Sequence, residues 1–201
     1  MSMPPERKAF DYKEAVFSLS QQMRFELDPG AMARLRRMDV DGAGETDYWQ
    51  LAAECGFLDE NHDRWRRIVQ SMALLCGKGE AGQRGALHDS KRGFGTALCD
   101  GGDPHWSPGP AGDGGGRPVL SEPRFARFLE LSSADRHEAL ARLMRWLASR
   151  RNGDSGVNCA EIAELILIPD PVRTLRRIAR DYYRRLDFQS TKTETSEEAA
   201  R

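Results

Sequence analysis

The side chains best placed to do chemistry in this sequence are arginines, which supply 25 of its 30 basic residues. A guanidinium presents a planar fork of donors that matches the oxygens of phosphate and carboxylate. The arginines are clustered: Arg34, Arg36 and Arg37 crowd one short segment, Arg64, Arg66 and Arg67 another, and Arg124 and Arg127 lie one helical turn apart. Near the end of the chain Arg173, Arg177, Arg180 and Arg184 repeat at intervals of four, three and four, with Asp181 as the one acid among them. Such a stripe can track a phosphate backbone. A solvated helix face gives the same pattern, and Arg36, Arg37, Arg184 and Arg185 also suit the negative end of a helix dipole. On the residues alone, both readings stand.

Other chemistries find less support. Gly77-Lys78-Gly79-Glu80-Ala81-Gly82 has the glycine spacing of a dinucleotide site, but it follows a helix rather than a strand, so it reads as a loop. Asp39, Asp41, Gly44 and Asp47 are spaced like part of a calcium loop. Ala43 and Gln50 stand where further ligands belong, and an ordinary polar turn is the better reading. The four histidines and four cysteines are scattered, without the pairing of a zinc site or a disulfide framework. The cysteines are expected to be free, buried thiols in a reducing compartment. No serine or cysteine sits in a nucleophile elbow. No cofactor, metal or catalytic residue is expected, and the chain reads as a binding protein.

Composition sets the frame for that binding. With 39% hydrophobic and 30% charged residues, a modest core should lie under a highly charged surface. No apolar run approaches the ~20 residues that cross a bilayer, so a cytoplasmic protein with no membrane partner is expected. Net charge is −1, but residues 119–186 hold 13 arginines against 9 acids. The distribution says more than the total.

The elements that must position these arginines are helices. Asp11 with Glu14 opens the first, carrying Tyr12, Val16, Leu19 and Met23 on one face. Asp28-Pro29 starts a second, which ends in Arg36 and Arg37. Thr46 or Asp47 caps a third, and 63–76 forms a fourth with Trp65, Ile68, Val69 and Met72 on its apolar stripe. A short helix is expected at 90–98. Ser121, then Ser132 with Asp135, then Asn158 with Glu161 cap three more, and Asp170-Pro171 opens the last, with Val172, Leu175, Ile178 and Tyr182 on one face. The expected fold is all-α, a two-part helical bundle. Its parts are an N-terminal helical domain at 1–99, a Gly/Pro-rich mobile loop at 100–118, a C-terminal bundle at 119–188 and a disordered tail at 189–201. Asp103-Pro104-His105-Trp106 reads as solvated loop.

Several segments, in order along the chain, make a set. They are Ala33-Arg34-Leu35-Arg36-Arg37, Tyr48-Trp49-Gln50-Leu51, Trp65 through Leu75, and Phe94-Gly95-Thr96-Ala97-Leu98. Ser121 through Leu129 and Ile178-Ala179-Arg180-Asp181-Tyr182-Tyr183 complete it. Together they resemble the CasB family, the small subunit of the type I-E CRISPR Cascade complex, over about residues 10–186. The insertion at 100–118 and the acidic tail fall outside the family's pattern.

The resemblance implies a non-catalytic, all-helical subunit present twice per complex, beside other Cascade subunits along the crRNA. It implies a role in antiviral defence, stabilising the target heteroduplex and the displaced DNA strand, the R-loop, through basic surface residues. By motif, Arg36 and Arg37 are the first candidate contacts, then Arg124 and Arg127, then Arg142 and Arg145 through a basic pair inside a Leu-rich helix. Arg64, Arg177 and Arg180 join them from the clusters above. The alternative is a stand-alone interaction module whose arginine faces bind acidic partners.

Overall fold

The computed structural model describes residues 10–109, 116–151 and 155–187. The expected tail, and the centre of the expected loop at 110–115, lie outside them. The described chain forms α1 (Tyr12–Phe25), α2 (Pro29–Arg37), α3 (Thr46–Glu54), α4 (His62–Leu75), α5 (Phe94–Asp100), α6 (Glu122–Glu130), α7 (Ser133–Arg150), α8 (Cys159–Leu167) and α9 (Val172–Asp187). Among the described residues there is no strand, only isolated bridges at His88–Val157 and Pro108–Gly116. The fold is all-α.

Local chemistry explains most helix starts. The side chains of Asp11, Asp28, Asn61, Ser132 and Asn158 each accept a backbone N–H of the first turn, satisfying donors that a helix leaves open. Two expectations are corrected. Helix α3 is capped at Glu45 without a side-chain bond, because the Asp47 carboxylate is taken by Arg34. Helix α5 begins at Phe94 rather than at 90, because the backbone before it is otherwise engaged. Asp89 closes a turn onto the Lys91 N–H, and the Arg92 carbonyl accepts from Asn158 N.

Helix α4 lies at the centre, packed against α2, α7 and α8. Its Trp65, Ile68, Val69 and Met72 are fully buried, and Trp65 stacks on Phe57 at 4.3 Å. Helix α5 packs on α9 at a distance only glycine allows. A Cβ at Gly95 would lie 2.0 Å from the Ile178 carbonyl oxygen. Helices from both sides of residues 100–118 therefore share one hydrophobic core, from Ala15 to Tyr182.

The described ends of that insertion are held down. Asp100 is buried and takes ion pairs from Arg92 and Arg185. The Arg185 fork also donates to the carbonyls of Asp103, Pro104 and Trp106. Trp106 is buried, not solvated as its loop setting suggests, with the Arg185 guanidinium over its ring.

Candidate nucleic-acid interface

Helices α6 and α7 carry four of the candidate arginines, and their orientation follows from what each helix buries. In α6, Phe125 and Phe128 face inward. Phe125 stacks on Tyr182 at 4.0 Å, and the Tyr182 hydroxyl donates to the Leu120 carbonyl at 2.6 Å. With that side committed, Arg124 and Arg127 are left exposed, one turn apart. In α7, Leu140, Met144 and Leu147 are buried and the helix packs on α4, so Arg142 and Arg145 point outward, also one turn apart.

Three adjacent clefts link these residues. The first, about 420 Å³, runs between α6 and α7 and is lined by Arg124, Arg127 and Arg142 over an apolar floor that includes Leu143 and Trp146. The second, about 310 Å³, lies between α4 and α7 and is lined by Arg67, Gln70, Ser71, His137, Arg142 and Arg145, with Asp41 and Glu138. The third, about 490 Å³, holds Arg36, Lys78, Arg145 and Arg151. Arg142 borders the first two and Arg145 the last two. The result is one cationic strip along α7.

Few carboxylates offset the strip. Among the described residues Arg124, Arg127 and Arg145 form no ion pair. Arg142 approaches Glu138 at 3.8 Å with both side chains well exposed, a pair that water and salt largely screen. Arg67 pairs with Asp41 at 2.5 Å. Beside the second cleft the Nε2 of His137 is buried and, among the described residues, has no hydrogen-bond partner. Burial depresses the pKa of this histidine, and the nearby charges of Arg67, Arg136 and Arg64 lower it further.

Of the remaining candidates only Arg36 borders the strip. Arg37 is exposed and, among the described residues, bonds only the Ala33 carbonyl of its own helix. Arg36 departs from the expectation of a solvent-facing pair. It is half-buried, and its fork donates to the carbonyls of Ala73 (2.9 Å), Cys76 (3.2 Å) and Gly77 (3.1 Å). It thus closes the C-terminal end of α4, and burial lowers its pKa. Arg64 donates to the Leu167 carbonyl, tying α4 to α8.

The arginines of α9 are not one track. Arg177 turns inward to Glu161 (2.6 Å) and Glu164, whereas Arg180 stays exposed beside Asp181. Arg67, Lys78, His137 and Trp146 join the strip without having been singled out as site residues. Of these only Arg67 carried a sequence signal, its cluster with Arg64 and Arg66; the others are brought in by how α7 lies beside α4 and α6, which no local pattern encodes.

Among the described residues no group of His, Cys, Asp and Glu could hold a metal ion, and no helix is long and apolar enough to cross a membrane. The aspartates of the 39–47 turn are engaged instead: Asp41 with Arg67 and Asp47 with Arg34. All four cysteines are free and buried.

Comparison with curated proteins and with solved structures found no match. The family model described as CRISPR-associated protein Cse2 matches residues 31–183, from α2 to the Tyr182–Tyr183 pair of α9, a span that contains the whole strip. The agreement extends over more than half of the chain and includes the ordered motifs that resemble CasB. The chain belongs to the CRISPR-associated Cse2 (CasB) family of Cascade subunits.

Proposed function

We propose that this chain is the non-catalytic small subunit of a crRNA-guided surveillance complex, holding the strands of the R-loop on the cationic strip of α7. Its partners are the other Cascade subunits, a second copy of itself, the crRNA and the target DNA. Arg124, Arg127, Arg142 and Arg145 carry the strand, with Arg37 and Arg180 as outlying exposed charges. The single observation behind this reading is that Arg142 and Arg145 join three clefts into one continuous basic path.

The physics suits such a role. In a guided complex, base pairing reads the sequence, so the protein needs only backbone contacts. Exchange of a DNA duplex for an RNA–DNA heteroduplex is nearly balanced, and a few phosphate contacts can tip it. With a net charge of −1, the free chain has little general attraction for nucleic acid, and binding concentrates where assembly aligns the strip.

The test is an Arg142→Ala, Arg145→Ala double variant assembled into the complex. Target binding should weaken for every sequence alike. The salt dependence should flatten by roughly 1.4–1.8 log units per decade, the value for two lost phosphate contacts on single strand or duplex. Unchanged binding at physiological salt would overturn the proposal. A second reading, arginine faces docking acidic helices of a protein partner, draws on the apolar floor of the first cleft. It gains if the variant leaves the complex when no DNA is present.

A further inference from the structure

The groove between α6 and α7 differs in kind from the two clefts beside it. Phe128, Leu143 and Trp146 form an apolar floor, and among the described residues no carboxylate, hydroxyl or amide side chain lines it. Its charged groups are Arg124, Arg127 and Arg142, all exposed. A site for phosphates alone has no use for an apolar floor open to water. An unpaired nucleic-acid strand supplies both partners at once: phosphates for the guanidiniums, and flat bases whose faces stack on aromatic and aliphatic surface. A duplex keeps its bases stacked inside and would offer this groove its phosphates only.

Two further observations favour a strand over an apolar protein segment. The volume of about 420 Å³ lies within the ~300–1,000 Å³ of small-ligand pockets, which is room for a base and its sugar. Arg142 also continues into the cleft that holds Arg67 and Arg145, giving a phosphate chain a way onward. A protein helix seated on the floor would leave that path unused.

We infer that the α6–α7 groove seats an unpaired base of a single-stranded nucleic acid, with Arg124, Arg127 and Arg142 on the flanking phosphates. The inference rests on the strand-holding role proposed above. It adds a preference for single over double strand, and that preference is blind to base identity because the three arginines are committed to phosphates and, among the described residues, no carboxylate, hydroxyl or amide side chain lines the groove to read a base edge.

The experiment uses two labelled oligonucleotides of equal length and charge, one of thymidine and one wholly abasic. Each is titrated by fluorescence anisotropy against the full chain at low salt and against the assembled complex. The wild type should bind the abasic strand about tenfold more weakly, the order of one base stacked on an aromatic surface. Trp146→Ala should weaken the thymidine strand by a similar factor and leave the abasic strand unchanged. The wild-type comparison needs no variant, so it decides the matter even if Trp146→Ala folds poorly.

Equal wild-type affinity for the two strands would overturn the base seat. If Arg142→Ala, Arg145→Ala still weakens both strands, the strand-holding role survives that result. Failure of chain and complex to bind either strand would overturn both proposals. A Trp146→Ala chain that binds both strands normally but falls out of the complex would overturn the base seat in favour of a subunit dock.

Discussion

Arg177 of α9 meets Glu161 of α8 at 2.6 Å, and that one pair explains why part of an apparent phosphate track is structural. Glu161 is buried, and its other oxygen accepts the Phe94 N–H at 2.7 Å, so the carboxylate caps α5 while it pairs with α9. Glu164, one turn on, takes the second arm of Arg177 together with the hydroxyls of Thr174 (2.8 Å) and Tyr12 (2.6 Å). Four helices converge on two carboxylates and one guanidinium.

Arg177→Ala should therefore destabilise the fold without weakening strand binding by the folded protein. Breaking a buried pair costs about 3–5 kcal/mol. The Arg177 side chain is 37% exposed, and solvent screening brings the expected loss down to about 2 kcal/mol. Urea denaturation checks the first part, and anisotropy with single-stranded DNA the second.

Arg36 and Arg37 should separate in the same assay. Arg36→Ala leaves three carbonyls at the end of α4 without their donor, at a cost of about 1.5–3 kcal/mol for bonds to a charged group. Arg37→Ala removes an exposed charge and should cost no more than ~0.5 kcal/mol. Equal losses in urea midpoint would show that the Ala73–Gly77 cap does not hold α4.

Stability should fall in acid in two stages. Burial pushes the pKa values of His88 and His137 below the ordinary 6.5, so protonation favours the unfolded chain. Their contribution is complete above pH 6.5 and is lost as pH falls from there. For Glu164, burial alone would raise the pKa. The bonds from Tyr12, Thr174 and Arg177 outweigh it and hold the carboxyl below its usual 4.5. Its contribution is complete above that value and lost below it. Melting temperatures from pH 8 to pH 3 check this, and Glu164→Gln should shrink the second stage while keeping the first, the remainder including Asp28, whose carboxyl is also held low by the Ala31 N–H.

Gly95→Ala is expected to be among the most damaging single-methyl changes in the chain. The new carbon would meet backbone atoms, Ile178 O at 2.0 Å and Tyr182 N at 2.9 Å, which have no rotamer to relieve the clash. Helix α5 would have to move off α9. Overpacking costs about 1–3 kcal/mol, occasionally more, and loss at or above the top of that range is expected. The melting temperature of the variant measures it.

The helices were readable from sequence because their signals are local. Asp11, Asp28, Ser132 and Asn158 act on backbone N–H groups within three residues, and an apolar stripe depends only on the 3.6-residue repeat. Family membership was readable for a similar reason, since ordered motifs along the chain need no three-dimensional information. Even a capping signature reaches its limit at Glu161, which answers the Phe94 N–H and Arg177.

The sorting of the arginines belonged to the tertiary structure. Arg177 and Arg180, one turn apart on one helix, have the same local pattern, yet α8 crosses beside the first and not the second. Arg36 and Arg37 are neighbours, and only the end of α4 makes one a cap and leaves the other in water. Arg142 and Arg145 gain Arg67 and Lys78 as companions only because α7 packs on α4. A guanidinium reaches several ångströms from its backbone, so its partner is set by whichever element folding brings within that reach, and a one-dimensional pattern carries no record of that.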